Sequence, residues 1–593
     1  MRAVVVCCQS LVLALVLSWP ASTSLPAGTV VGAPGGDAAK HVWNLWWARE
    51  ELWRGRGEPL TYLINFPDGV GLHPIEPVHQ LLAAAWPFDV VALANVLAVA
   101  NVFLVGVAAA GLGWVVTRRV APSLVAGALA QMSSFVAFTL HVGVGELRQV
   151  WWIPLGLTAA VLAQKRGGDA PHAWVGLLAA VATISCFYHG FFLSAALAAF
   201  ALATWGRVEP TAWSELPAAS SPRRWAVVFG TLVVLALPAA LMFARSYGAP
   251  DDEAPIGLDE GASATLAELV WPGAREGAYG GGRYLGLVTL LLAGAGLAAD
   301  RRAAAPWAAV AGAGAVLALG PWLDLGWLRV PLPFAAVNAV LALAAEPMNF
   351  PSRFLVLPAI ALPVLAAIAV TRWRVLGWLA PLALVEALTL HDVPWPRRTT
   401  TLADFSALRP PEGAVADLSH VTRGNGTRPD AIGPTGASIV NWANSETRTM
   451  AIAAQITLGR PFSTVPVDRL DLWASSSLLW TAALPLSGAL AGYNIANEEI
   501  RESVFLLGEA GFGSVFVSRP CGTRRGPNTE VLDRHLGPPT SAPCGELWPV
   551  PVVPATEEQA SLWRERHRER VARLAPPKLL RMVANAPALA NSP

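Results

Sequence analysis

Gly35-Gly36-Asp37-Ala38-Ala39-Lys40-His41-Val42-Trp43-Asn44-Leu45-Trp46-Trp47-Ala48-Arg49 follows the first apolar segment of the chain and carries an early acid, Asp37. Across 38–53 the residues Trp43, Trp46, Trp47 and Trp53 recur at helical spacing, the pattern of a helix lying in a membrane interface. The glycines before Asp37 permit close backbone approach, and a helix N-terminus behind it favours an ionised carboxylate. As a purely structural feature Asp37 is an N-cap, a role compatible with chemistry.

Outward from this stretch the chain is apolar. Of 593 residues 54% are hydrophobic and 14% charged, against about 25% charged in soluble domains. Mean hydropathy is +0.47. A net charge of +1 gives no basic bias towards nucleic acid, and 25 tryptophans suit rings at membrane–water boundaries. Residues 3–20 are uncharged and read as a retained first span, with a cleaved signal peptide as the alternative. Uncharged runs recur at 90–116, 120–140, 149–163, 173–188, 190–205, 225–244, 284–299, 303–320, 354–371 and 375–391, only the last with an acid, Glu386. A central charge costs roughly 2.5–3.5 kcal/mol on insertion scales, so these runs read as spans.

Orientation follows from basic residues. With the N-terminus inside, inner loops hold Arg118-Arg119, Lys165-Arg166, Arg207 with Arg223-Arg224, Arg301-Arg302, and Arg372 with Arg374. Outer loops hold Asp251-Asp252-Glu253, Asp259-Glu260 and Glu276. Merging 173–205 would break this alternation, so the pair around His189 reads as a hairpin. The result is a polytopic α-helical membrane protein of about eleven spans, residues 1–391. Its large outer loops are 21–89, with Pro67-Asp68-Gly69 as a turn and 76–87 as a short helix, then 245–283, then 321–353 with a short apolar piece at 334–345.

From 392 onward charge, Pro and Thr rise, and strand-like runs appear at Gly413–Leu418 and Gly513–Ser518. Residues 392–593 read as a mixed α/β extracytoplasmic domain. The uncharged stretch 472–497 contains Ser475-Ser476-Ser477, Asn494 and Asn497 and reads as a buried helix of that domain rather than a further span. Arg564 to Arg573 reads as a solvated helix. Cys521 and Cys544 could bridge in an oxidising compartment.

This layout resembles the GT-C glycosyltransferases, and within them a bacterial subgroup. The likeness rests on Gly36-Asp37, the Trp43-Asn44-Leu45-Trp46-Trp47 run and Phe66-Pro67-Asp68-Gly69. It continues through His141 before Trp152-Ile153-Pro154-Leu155, Tyr188-His189-Gly190-Phe191 and Phe350-Pro351-Ser352-Arg353-Phe354. In the C-terminal domain it includes Met450 to Arg469 and Phe512 to Arg519. It covers most of the chain through loose motifs. The resemblance implies a multi-pass enzyme of the bacterial inner membrane that takes a sugar from a polyprenyl-phosphate carrier and gives it to a lipid, glycan or protein acceptor outside the cytoplasm.

That reaction needs a general base for the acceptor hydroxyl and a cation for the leaving phosphate. Asp37 suits the first role. Arg353, at the outer edge of the tenth span, suits the second, with a snorkelling lipid anchor as the plain alternative. His141, Glu146 and Arg148 in one short outer turn are candidates for sugar or a divalent cation, against a local ion pair. His189 is a candidate carrier or acceptor contact, against a satisfied interface histidine. Lys40, His41 and His73 are candidate phosphate contacts. Asp251, Asp252 and Glu253 form a metal-friendly cluster that reads better as a solvated acidic loop. No cofactor is fixed by any motif. Two other classes stay open: a non-catalytic protein of the same fold that binds a glycan or protein partner, and a transporter. The transporter needs polar groups at mid-membrane, where Glu386 stands alone and Asn95 and Asn101 read as helix–helix hydrogen bonds.

Overall fold

The computed structural model describes residues 2–23, 25–34, 36–53, 60–61, 70–71, 76–205, 221–247, 262–273, 281–324, 328–342, 350–418, 445–460, 462, 478–490, 494–519, 521–522, 525 and 527–574. His73, Pro67-Asp68-Gly69, Asp251-Asp252-Glu253, Asp259-Glu260, Glu276 and Ser475-Ser476-Ser477 lie outside the described residues. The chain forms two compact units, Met1–Arg49 with His73–Thr400, and Glu50–Leu72 with Thr401–Pro593.

The first unit begins with α1 (Arg2–Leu17), β1 (Thr29–Val31) and α2 (Ala38–Trp53), the last of which runs past its boundary. Then come α3 (Pro77–Ala85), α4 (Val90–Thr117), α5 (Val120–Gln131), α6 (Ser134–Val142), α7 (Trp152–Arg166), α8 (Asp169–Ser185), α9 (Phe187–Thr204) and α10 (Pro222–Tyr247). It continues through α11 (Leu266–Val270), α12 (Leu287–Ala299), α13 (Arg301–Ala318), α14 (Pro333–Ala342), α15 (Val356–Arg372) and α16 (Ala380–Thr389). Among the described residues, five stretches are long and apolar enough to cross a membrane: Val90–Thr117, Val120–Val142, Phe187–Thr204, Pro222–Ala239 and Pro351–Arg372. Arg2–Leu17 and Leu287–Ala299 are apolar but shorter. The run 375–391 becomes a 3-10 turn, Arg374–Leu379, before the ten-residue α16.

α15 is apolar all round and buried from Val356 to Thr371, as the centre of a bundle requires. It packs against α4, α5, α12 and α13. α8 and α9 break at Cys186, whose backbone is extended, and then pack on each other. A Cβ added at Gly190 would lie 2.3 Å from the Thr183 hydroxyl, so the helices touch at the turn.

Two expectations change here, and one isolated acid finds its role. The tryptophans of α2 do not face an interface: Trp43, Trp46 and Trp47 are buried, with Trp43 stacked on Trp47 at 6.4 Å. Helical spacing of rings thus marked buried positions rather than a boundary. Asn95 bonds a strand: its side chain accepts from Val31 N–H at 3.0 Å and donates to the Thr29 carbonyl at 2.9 Å, along the edge of buried β1. Glu386, isolated in its apolar run, caps α12. Its carboxylate accepts Leu287 N–H at 2.6 Å, Val288 N–H at 3.1 Å and the Tyr284 hydroxyl.

The second unit carries a four-stranded mixed sheet of β2 (Ala414–Asp417), β3 (Phe512–Ser518), β4 (Thr540–Ala542) and β5 (Gly545–Pro549). The spatial order is β2-β3-β5-β4, with β2 and β3 parallel and the other pairs antiparallel. Its helices are α17 (Ser445–Leu458), α18 (Leu478–Leu490), α19 (Asn497–Glu509), α20 (Glu530–Leu536) and α21 (Glu557–Leu574). The stretch read as a buried helix is α18, whose Ala483, Leu486 and Leu490 join Val515 and Trp548 in the core. The basic C-terminal helix is docked rather than solvated: Trp563 is buried, and Arg570 pairs with buried Glu502 at 3.0 Å. Cys521 and Cys544 are disulfide-bonded.

Replacing Glu386 by Ala removes the cap of α12 and should cost about 0.5–2 kcal/mol, read as an earlier thermal transition of the detergent-solubilised protein. Glu386→Gln, which keeps an acceptor oxygen, should lose less.

Candidate functional site

Asp37 stands immediately before α2 and is buried. Its N–H donates to the Val142 carbonyl at 2.7 Å, and its carbonyl accepts His41 N–H at 3.0 Å. The preceding turn is pinned as well, because Gly36 N–H donates to Ala33 O at 2.9 Å and Ala33 N–H donates to the His141 carbonyl. A Cβ on Gly36 would lie 2.2 Å from Val142 O, so only glycine lets this loop lie against the end of α6.

One helical turn on, His41 enters a buried polar cluster. Its Nδ1 is 2.9 Å from Glu76 Oε1. Its Nε2 is 2.8 Å from Glu146 Oε2, an ion pair set off the line of a hydrogen bond. Glu76 directly precedes α3, which opens on Pro77, and its other oxygen is 2.7 Å from His79 Nδ1. His79 Nε2 faces Asn101 Nδ2 at 3.2 Å, and Asn101 Oδ1 accepts the Trp151 indole N–H at 3.0 Å. Glu146 opens a 3-10 turn, Glu146–Arg148, and its carbonyl accepts from His189 Nε2 at 2.8 Å.

Burial opposes charge on His41, but Glu146 and Glu76 outweigh it and raise its pKa to about 10. Burial likewise works against ionised Glu76, yet His41 and His79 lower it to about 2. Glu146 is held below its ordinary value, against burial, by His41 and then by Lys40.

The structure thus brings together Asp37, Lys40, His41, Glu146 and His189. Arg148 turns elsewhere: buried, it donates to Val31 O at 3.2 Å and Thr139 O at 3.4 Å. Its guanidinium ties β1 to α6, and desolvation pulls its pKa down to about 10. The expected local pair of Glu146 with Arg148 gives way to Glu146 with His41, because the one-turn helix points the two side chains apart. His141 is buried on the last turn of α6. Arg353 lies in the 3-10 turn Pro351–Leu355, its guanidinium 4.5 Å from the Tyr188 ring and 4.3 Å from the Phe350 ring. Among the described residues, no group of three or more His, Cys, Asp or Glu is arranged to hold a metal ion. Glu76, His79 and Trp151 escaped the sequence reading. A Glu-Pro helix start with His three residues on was the available signal, since that spacing puts both side chains on one face.

No family model and no curated protein matches the chain. Among solved structures it is similar to the oligosaccharyltransferase of Archaeoglobus fulgidus in the apo form, with 12% identity over 87% of this chain and 69% of that one and a TM-score of 0.40. The same enzyme with zinc and sulfate gives 13% identity over 87% and 68%, TM-score 0.42. The A. fulgidus enzyme AglB, in complex with an inhibitory peptide and a dolichol-phosphate, gives 12% over 87% and 69%, TM-score 0.41. These likenesses are loose in sequence and in shape.

The pKa directions fix a stability profile. The His41 contribution is complete below pH 6.5 and is lost as pH rises to about 10. The Glu76 contribution is complete above pH 4.5 and is lost as pH falls towards about 2. Thermal unfolding across this range should show both declines, and Glu76→Gln should flatten each.

Proposed function

We propose that this chain is an integral-membrane, inverting glycosyltransferase of GT-C type, a hexosyltransferase that moves a sugar from a polyprenyl-phosphate donor to an extracytoplasmic lipid, glycan or protein acceptor. The observation that carries this reading is Asp37: a buried carboxylate at a helix N-terminus, with the backbone on both sides hydrogen-bonded in place. A general base needs such fixed geometry, and the helix terminus favours its ionised form. Asp37 takes the acceptor proton as the hydroxyl oxygen attacks the anomeric carbon. The carrier phosphate leaves with the bonding electrons and meets Arg353, whose guanidinium rests against Tyr188 and Phe350. Lys40 adds positive charge beside Glu146. His141, Glu146, Arg148 and His189 then frame the sugar site, Arg148 through the backbone it holds. A divalent cation is not required by this scheme.

In this reading residues 1–391 form the membrane part with about eleven spans, N-terminus inside the bacterial inner membrane, and 392–593 lie outside. The Cys521–Cys544 disulfide favours an oxidising compartment for the latter.

Membranes carrying the protein, given radiolabelled polyprenyl-phosphate hexoses, should transfer label to an extractable product. Asp37→Asn at normal protein level should cut transfer by about 10²–10⁴-fold; transfer within a few-fold of the parent would sink the assignment. Arg353→Ala should weaken transfer more than Arg353→Lys, since Lys keeps the charge but loses the planar stacking.

A further inference from the structure

The hydrogen bonds behind Asp37 run in one direction. An indole N–H only donates, so Trp151 fixes Asn101 Oδ1 as its acceptor at 3.0 Å. The Asn101 amide nitrogen then donates to Leu97 O at 2.8 Å and towards His79 Nε2 at 3.2 Å. His79 Nε2 is therefore the accepting nitrogen and Nδ1 carries the proton, which is donated to Glu76 Oε2 at 2.7 Å. Glu76 Oε1 is left to accept from His41 Nδ1 at 2.9 Å. On the far side His41 Nε2 meets Glu146 Oε2 at 2.8 Å. Between two ionised carboxylates a neutral ring would set a lone pair against one of them; an imidazolium hydrogen-bonds Glu76 and stands as an ion pair with Glu146. The charges around it are Glu76, Glu146 and, on its own helix, Lys40, while Arg148 acts on both carboxylates. His189 Nε2 meets the Glu146 carbonyl.

We propose that His41 is a positioning residue that stays charged at neutral and mildly alkaline pH, clamped between Glu76 and Glu146, and that it sets where the first turn of α2 and Asp37 stand. Its own N–H is bonded to the Asp37 carbonyl, so the clamp acts one turn from the carboxylate. The catalytic part of this inference rests on the reading of Asp37 as base; the protonation part does not.

Nitrogen NMR of the full chain in lipid bilayers, labelled with 15N-histidine, tests it at about pH 8.5, where an ordinary histidine of pKa about 6.5 is neutral. One ring should carry two protonated nitrogens, and that signal should vanish in His41→Gln and in Glu76→Gln. Asn101→Leu should keep it while the single tautomer of His79 is lost. Absence of a doubly protonated ring, or its survival in His41→Gln, overturns the proposal. In the transfer assay with polyprenyl-phosphate hexose, His41→Gln and Glu76→Gln should each lower kcat at least tenfold with KM within about twofold. Unchanged kcat in both folded variants overturns the positioning role. If Asp37→Asn keeps full transfer, the base assignment falls, and the spectrum alone still decides the state of His41.

Discussion

A buried charge survives only when its neighbours replace the water it has lost. His41 and Glu76 are removed from solvent, Glu146 is half-buried, and each lies within 2.9 Å of an opposite charge. The side-chain contacts of His41 follow from that requirement. The carboxylates arrive from two separate loops, one before α3 and one after α6, and only α2 supplies the cation that joins them. Removing one member would strand the others in a low-dielectric interior, a cost of about 3–5 kcal/mol in measured cases. Such a cluster holds three segments in one arrangement more firmly than apolar packing, which tolerates sliding.

Two guanidiniums do related work with carbonyls instead of carboxylates. Arg148 grips the end of β1 and a turn of α6, while Arg397 donates to Leu17 O at 3.0 Å and Pro394 O at 2.9 Å at the end of α1. Backbone carbonyls left over where helices and strands end need donors, and a planar fork reaches several at once. The loop bearing Asp37 is thereby framed by fixed structure on both sides.

Much of this was legible in the sequence. Long uncharged runs gave α4, α9 and α15 because apolar helices announce themselves by composition. The helix pair expected around His189 is present but breaks at Cys186, and α18 falls within the uncharged stretch 472–497. Asp37 was found as an acid beside glycines at a helix start. The Trp-rich face of α2 was misread, since one sequence pattern serves both a buried helix and an interfacial one. Asn95 was misread because a side-chain amide serves a strand edge as well as a helix. The joining of Glu76 to His41 stayed hidden because the two are 35 residues apart. Pairing at that range depends on tertiary packing, which no local spacing encodes.

Glu386 has a consequence for assembly in time. It supplies the acceptors for the first N–H groups of α12, yet it lies 99 residues after Leu287. At a synthesis rate of about 5–20 residues per second, that partner emerges some 5–20 s later. Until then Leu287 N–H has the Tyr284 hydroxyl, three residues earlier, as a local acceptor at 2.9 Å, while Val288 N–H still waits for its carboxylate. The start of α12 is therefore completed only when α16 has been made, so the late-born acid acts as a latch on the order in which the two helices join.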